Sequence, residues 1–374
     1  MEEEKIATEQ QENIPQKPTS HKKIIGLVLV TLIITAVMVI VFANISDFSK
    51  IWEHIVKMDA KYLWIAIACV VIYLATWPVS LMILTRKSEN KPKKIDDFLI
   101  GGSEHFFNGI TPFASGGQPI QVYLYHQNGM TAAQATGICL SNFIAFMIAT
   151  NTYAIASLFF WGQFTATFTP ATIWMVILGF VMNLFTLFFI ILIASSKKVR
   201  DLFIKLFKVL GKIKFLSKII DKTLPKFEEY CNNFQLASKE IMSHKMDFFL
   251  AIIARGVSLL FYYCIPFFIL KGLGVELTWI DAFFVLLASS FTITTMVWVP
   301  TPGGTGGIEF AFTYIFVTFF LTMENKDEII TASMIMWRFL TYYLLMFLSA
   351  IEYVVYEVII KKRRKRKALA EAHD

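Results

Sequence analysis

Apolar residues along this chain come in long blocks, not at the spacing of an amphipathic surface helix. Nearly charge-free blocks cover residues 24–43, 62–84, 132–161, 171–194, 248–270 and 329–360. Each reaches the roughly 20 residues an α-helix needs to cross a bilayer, so six full transmembrane helices are predicted. Two further apolar stretches, 95–125 and 279–320, are interrupted by glycine and proline. The first break reads Thr111-Pro112-Phe113-Ala114-Ser115-Gly116-Gly117-Gln118-Pro119, the second Val299-Pro300-Thr301-Pro302-Gly303-Gly304-Thr305-Gly306-Gly307. Irregular backbone at membrane depth is tolerated only inside protein or along a cavity, because lipid pairs no N–H or C=O. Broken helices in two halves of a membrane chain therefore point to a buried polar site that handles a substrate. The plain alternative is that small residues there only let helices approach closely.

Lysine and arginine placement sets the orientation. Lys22, Lys23, the stretch 86–94, the insert 197–247 and the run 361–367 are expected on the cytoplasmic side. The loop 162–170 carries no basic residue, Lys271 and Lys326 stand alone, and only 44–61, with three lysines, fits poorly outside. These placements agree if each broken segment enters and leaves on one face, the first from the cytoplasm and the second from outside. The predicted fold is an all-α integral membrane protein with about six full transmembrane helices plus two opposed re-entrant hairpins. Opposed hairpins suggest an inverted repeat, although only Thr-Pro followed by Gly-Gly is shared. Residues 1–21 read as a disordered cytoplasmic tail, 22–360 as the transmembrane domain and 361–374 as a basic cytoplasmic tail.

Composition narrows the class. The chain is 56% hydrophobic and 17% charged, with 36 Phe, the profile of a membrane protein. The four cysteines show no CxxC spacing and predict neither disulfide nor zinc; no metal or cofactor is expected. The acidic residues after Met1 argue against a cleaved signal. There is no Walker, HExxH or GxSxG motif, and the glycines at 303–307 lack a nucleotide fingerprint's strand–turn–helix setting. The basic stretch 197–226 carries Leu202, Phe203, Leu206, Phe207 and Leu210 at helical spacing, continued by Ile213 and Leu216. Such a helix lies on an anionic leaflet or on the protein's own cytoplasmic face.

Candidate binding residues cluster at the breaks. Half-helix N termini offer N–H groups and a positive dipole end to a phosphate or carboxylate, beside Asn108, Thr111, Pro112, Ser115, Gly116, Gly117, Gln118 and Gln121 in the first hairpin. Thr301, Pro302, Gly303, Gly304, Thr305, Gly306, Gly307 and Glu309 supply the second. Charges at membrane depth face interior cavities because each costs about 2.5–3.5 kcal/mol to insert. Arg338 is expected to meet an anionic head group with Glu309 as its partner, or to form a structural ion pair with it; Glu104 is a second carboxylate. Arg255 and Glu352, nearer span ends, are expected to snorkel. His105 is expected to be a hydrogen-bonding interior residue, not a ligand.

The two breaks, with Ile308-Glu309 and the later Trp337-Arg338-Phe339-Leu340-Thr341-Tyr342-Tyr343, resemble the transmembrane region of lysylphosphatidylglycerol synthases, the multiple peptide resistance factors, over roughly residues 22–360. The resemblance implies a flippase module in the bacterial plasma membrane that moves aminoacylated phosphatidylglycerol to the outer leaflet, with a role in membrane charge and resistance to cationic antimicrobials. In such proteins a separate cytoplasmic domain transfers lysine from lysyl-tRNA. Only 14 residues follow Ile360 here, so transferase activity is not expected of this chain. Many members carry arginine near the position of Gln121, so charge recognition at the first hairpin is expected to differ. The resulting expectation is a translocase of anionic or aminoacylated phospholipid, with membrane phospholipids and a separate synthase as partners. The rival is a phosphatidylglycerol lysyltransferase or a partner subunit of one, the only route by which lysyl-tRNA would enter.

Overall fold

The computed structural model describes residues 48–88, 90–166, 168–210, 224, 228, 244–317 and 325–371. The predicted span 24–43, the tail 1–21, Ile213, Leu216 and Cys231 lie outside them. All regular structure among the described residues is helical. In chain order the helices are α1 (Phe48–Val56), α2 (Ala60–Thr76), α3 (Val79–Thr85), α4 (Lys94–Gly102), α5 (Glu104–Ile110), α6 (Gly117–Gln127), α7 (Ala132–Ser157), α8 (Trp161–Phe164), α9 (Pro170–Ser195), α10 (Lys197–Leu210), α11 (Lys245–Gly272), α12 (Trp279–Met296), α13 (Gly307–Val317), α14 (Lys326–Arg338) and α15 (Leu345–Glu371). A π-helical segment, Phe339–Leu344, joins the last two.

Helix starts follow local chemistry. Asp59 accepts a bond from the Lys61 N–H before α2. Thr131 and Gln134 form a capping box at α7, and Thr278 and Asp281 another at α12. Thr169 caps α9 with Pro170 at its first position, where a missing N–H costs nothing.

Six helical segments among the described residues are long and apolar enough to cross a membrane: Ala60–Thr85, Ala132–Phe164, Pro170–Ile193, Lys245–Gly272, Trp279–Met296 and Lys326–Arg363. Five match predicted spans. Trp279–Met296 differs from its prediction as half of a broken segment, because the interruption falls after Met296 and leaves an 18-residue helix of about 27 Å. The first broken segment is a helix–loop–helix, kinked at Ser103 between α4 and α5 and turning back into the 11-residue α6. Large apolar side chains on α9, including Trp174, Leu178, Phe185 and Phe188, point outward, as a lipid-facing helix requires.

Among the described residues, two large apolar cores lie inside, beside a minor cluster around Ile144. The larger gathers α2, α11, α12, α13 and α14. The smaller packs the first hairpin against α3, the start of α7 and the end of α15. The last helix belongs to both, and its Ser349 Oγ accepts from the Phe106 N–H (2.8 Å) and donates to the Gly102 carbonyl (2.5 Å). It thus satisfies backbone groups freed by the kink. In the insert, Leu202 and Leu206 of α10 form an exposed apolar stripe, consistent with the predicted amphipathic helix.

Candidate functional site

At the first break Thr111-Pro112 ends α5, since proline lacks a donor and disfavours a helical residue before it. Thr111 Oγ1 donates to the Phe107 carbonyl (2.7 Å) and accepts from the Gly116 N–H (2.9 Å). Asn108 Oδ1 accepts from the Gly117 N–H (2.8 Å). A Cβ at Gly117 would lie 2.6 Å from that oxygen, so this cap requires glycine. Phe113 and Ala114 adopt φ of 56° and 49°, left-handed values that cost a non-glycine residue about 1–2 kcal/mol and concentrate at functional sites.

At the second break, Thr301 Oγ1 donates to the Thr305 carbonyl (2.7 Å), and Glu309 Oε2 accepts from the Gly306 N–H (2.7 Å). Gly303 has φ +62°, and a Cβ there would meet Tyr342 Cε2 at 2.2 Å. The two breaks touch: Pro112 and Pro302 pair as an isolated antiparallel bridge. Tyr342 strengthens the junction by donating its hydroxyl to the Gly109 carbonyl at 2.8 Å.

The junction borders a partly open cavity of about 160 Å3. His105, Asn108 and Gly109 line it from the first hairpin, Gly303, Gly304 and Ile308 from the second, and Tyr73, Tyr262, Trp337, Arg338, Thr341 and Tyr342 from the spanning helices. Arg338 is 7% exposed, Glu309 6%. Arg338 Nε lies 2.7 Å from Glu309 Oε1 without a hydrogen-bonding angle at Nε, so the contact is a close ion pair. Its Nη2 donates to the Gly303 carbonyl (3.2 Å) and Thr305 Oγ1 (3.3 Å), and the guanidinium lies 4.5 Å from the centre of the Tyr342 ring.

Glu104 anchors a second polar cluster behind the first hairpin. It accepts from Trp77 Nε1 (2.9 Å), Gln121 Nε2 (3.2 Å), Gln118 Nε2 (3.3 Å) and Asn108 Nδ2 (3.5 Å). Arg255 completes the cluster, with its guanidinium carbon 3.6 Å from the centre of the Trp77 ring.

Of the predicted site residues, Asn108, Gly303, Gly304 and Arg338 line the cavity. Thr111, Pro112, Gly116, Gly117, Thr301, Pro302, Gly306, Gly307 and Glu309 shape the tips, while Glu104, Gln118 and Gln121 sit in the cluster behind. Three corrections follow. The amides of Gly116, Gly117 and Gly306 at the half-helix N termini are not free for a ligand, because the side chains of Thr111, Asn108 and Glu309 already cap them. Arg255 does not snorkel; it is 0% exposed, because α2, α7 and the first hairpin cover that face of α11. Glu352 does not reach water with both oxygens: its carboxylate packs against Gly102, and Oε2 is enclosed without a partner. The tyrosines at 73 and 262 escaped sequence reasoning, since an aromatic in an apolar span carries no distinguishing signal. His105 lies in the interior as expected, but its Nε2 has no hydrogen-bond partner. Cys69, Cys139 and Cys264 are free.

The fold and the polar junction between its broken helices define a multi-pass helical membrane protein. The chain belongs to the lysylphosphatidylglycerol synthase TM region family, which it matches over residues 24–349. That membership gives it a membrane role connected with lysylphosphatidylglycerol. No curated protein and no solved structure matches the chain.

Proposed function

We propose that this protein is a lipid translocase of the bacterial plasma membrane, moving an anionic or aminoacylated phospholipid such as lysyl-phosphatidylglycerol between leaflets. One observation carries the reading: two helix breaks far apart in sequence converge on one small cavity lined by Arg338, whose buried partner Glu309 stands just outside the lining. Arg338 offers the lipid phosphate a planar fork of donors. Glu309 and Glu104 meet the hydroxyl or ammonium groups of the head group, and the acyl tails stay in lipid.

The first hairpin is read as re-entrant because α6, at 11 residues, spans only about 16 Å, too little to cross a bilayer. The second enters from the opposite face along the 18-residue α12, both termini are cytoplasmic, and rocking of one half against the other exposes the cavity to each leaflet in turn. Membrane phospholipids are the partners of this activity, and a separate synthase would supply aminoacylated lipid. The role fits control of membrane charge and resistance to cationic antimicrobials.

The test is leaflet-selective labelling of lysyl-phosphatidylglycerol in vesicles. Wild-type protein is expected to accelerate exchange, and Arg338→Ala to abolish the gain. Equal rates with and without protein, or full activity in the variant, would sink the proposal. New aminoacyl lipid in a host that lacks it would instead indicate a lysyltransferase.

A further inference from the structure

The cavity has a charged, paired wall at Arg338. Behind its opposite wall lies a cation whose donors are largely unused. Arg255 is fully enclosed, and of the five N–H donors of a guanidinium only that on Nε has an acceptor, Asn142 Oδ1 at 3.1 Å. Nη1 and Nη2 are buried with no hydrogen-bond partner. The nearest carboxylate, Glu104, stands 3.8 Å from Nη2, an ion pair by distance only. Glu104 is already served by four neutral donors, so neither oxygen depends on Arg255 for a hydrogen bond.

A buried cation with four unmatched N–H groups is costly and calls for a specific cause. The guanidinium has one face held on the Trp77 ring, and the Nη edge carries the unmatched donors. A planar fork of this kind matches two oxygens of a phosphate. Unpartnered buried atoms recur beside it: Gln121 Oε1 and His105 Nε2, able to meet the hydroxyls of a glycerol head group. His105 also lines the cavity, and its ring packs on Trp77 (4.6 Å between centroids) and Tyr73 (5.2 Å). Arg255 thus stacks on Trp77, and Tyr73 and His105, which pack on Trp77, line the cavity.

We propose that Arg255, flanked by Gln121 and His105, is a second phosphodiester station for the transported lipid, closed here by the Tyr73–Trp77–His105 layer and opened by its displacement. The inference rests on the translocase reading above and deepens it. Arg338 is tied to the second hairpin through Gly303 and Thr305, and Arg255 faces the first through Glu104. A phosphate handed from one arginine to the other stays partnered while access changes from one hairpin to the other. Arg338 captures; Arg255 completes passage.

The test uses the full chain in vesicles containing phosphatidylglycerol or lysyl-phosphatidylglycerol, comparing wild type, Arg255→Lys, Arg255→Gln and Arg338→Gln. Arg255→Lys keeps the buried charge but loses the fork. It is expected to lower maximal translocation about tenfold while the half-saturating lipid concentration moves less than about threefold, whereas Arg338→Gln should raise that concentration. Thermal unfolding of Arg255→Lys close to wild type shows that a loss of rate is not a loss of fold. If Arg255→Gln does not fold, Arg255→Lys alone decides. A folded Arg255→Lys protein that moves both lipids at wild-type rate overturns the second station and leaves water as the partner of Arg255. A wild-type protein that moves neither lipid overturns the translocase reading itself.

Discussion

Replacing Gly303 with alanine probes the junction of the two breaks with one methyl group. Two effects combine. At φ +62° an alanine pays about 1 kcal/mol for a left-handed backbone. Its Cβ would also sit 2.2 Å from Cε2 and 2.7 Å from Cζ of Tyr342, so the ring must move. Moving it breaks the hydroxyl's bond to the Gly109 carbonyl, worth about 1 kcal/mol, and the contact with the Arg338 guanidinium, worth about 1 kcal/mol in a desolvated site. The expected cost of Gly303→Ala is therefore about 3 kcal/mol. In a Tyr342→Ala background only the backbone part remains, about 1 kcal/mol. The four proteins of this cycle, unfolded reversibly by SDS titration from mild micelles, should give a coupling energy of about 2 kcal/mol. An equal cost for Gly303→Ala in both backgrounds would refute the argument that Tyr342 braces the second break.

Ala114→Gly should stabilise the protein by about 1 kcal/mol in the same titration, because glycine removes the left-handed penalty at the first tip; a loss of stability would mean the alanine methyl makes a contact that outweighs it. Glu309→Ala leaves Arg338 buried without its carboxylate and should cost about 3–5 kcal/mol, whereas Glu309→Gln, which keeps an acceptor for the Gly306 N–H, should cost less; equal losses would show that charge pairing does not matter there. Ser349→Ala should cost about 1–3 kcal/mol by leaving the Phe106 N–H and Gly102 C=O at the kink unmatched, and faster amide exchange at Phe106 would locate the loss.

The spans were legible because bilayer thickness writes itself into block length: five of the predicted stretches coincide with observed helices. The breaks were legible because glycine and proline cluster there, whereas the isolated Pro266 and Gly179 sit within continuous helices. Their meeting was not, since Pro112 and Pro302 join through backbone, which leaves no residue preference to read. The pairing of Arg338 with Glu309 followed from charge at depth alone. Arg255 was misjudged because distance from a span end measures access to water only for a helix that faces lipid, and α11 is covered there by α2, α7 and the first hairpin. The capped half-helix ends were partly readable: Glu309 stands three residues after Gly306, the spacing of a capping carboxylate. The Thr111 and Asn108 caps depend on how the tip folds back, which sequence does not specify.

The joint between the two breaks also says something about the ease of motion. Neither Pro112 nor Pro302 has an N–H, so neither can donate a bond to the other across their bridge. The prolines thereby stop the contact from growing into a longer ladder. What remains is a contact one residue long on each side, short enough to open and re-form on the microsecond-to-millisecond scale of domain movements. A longer ladder would bind the two breaks firmly together; this contact leaves them free to part.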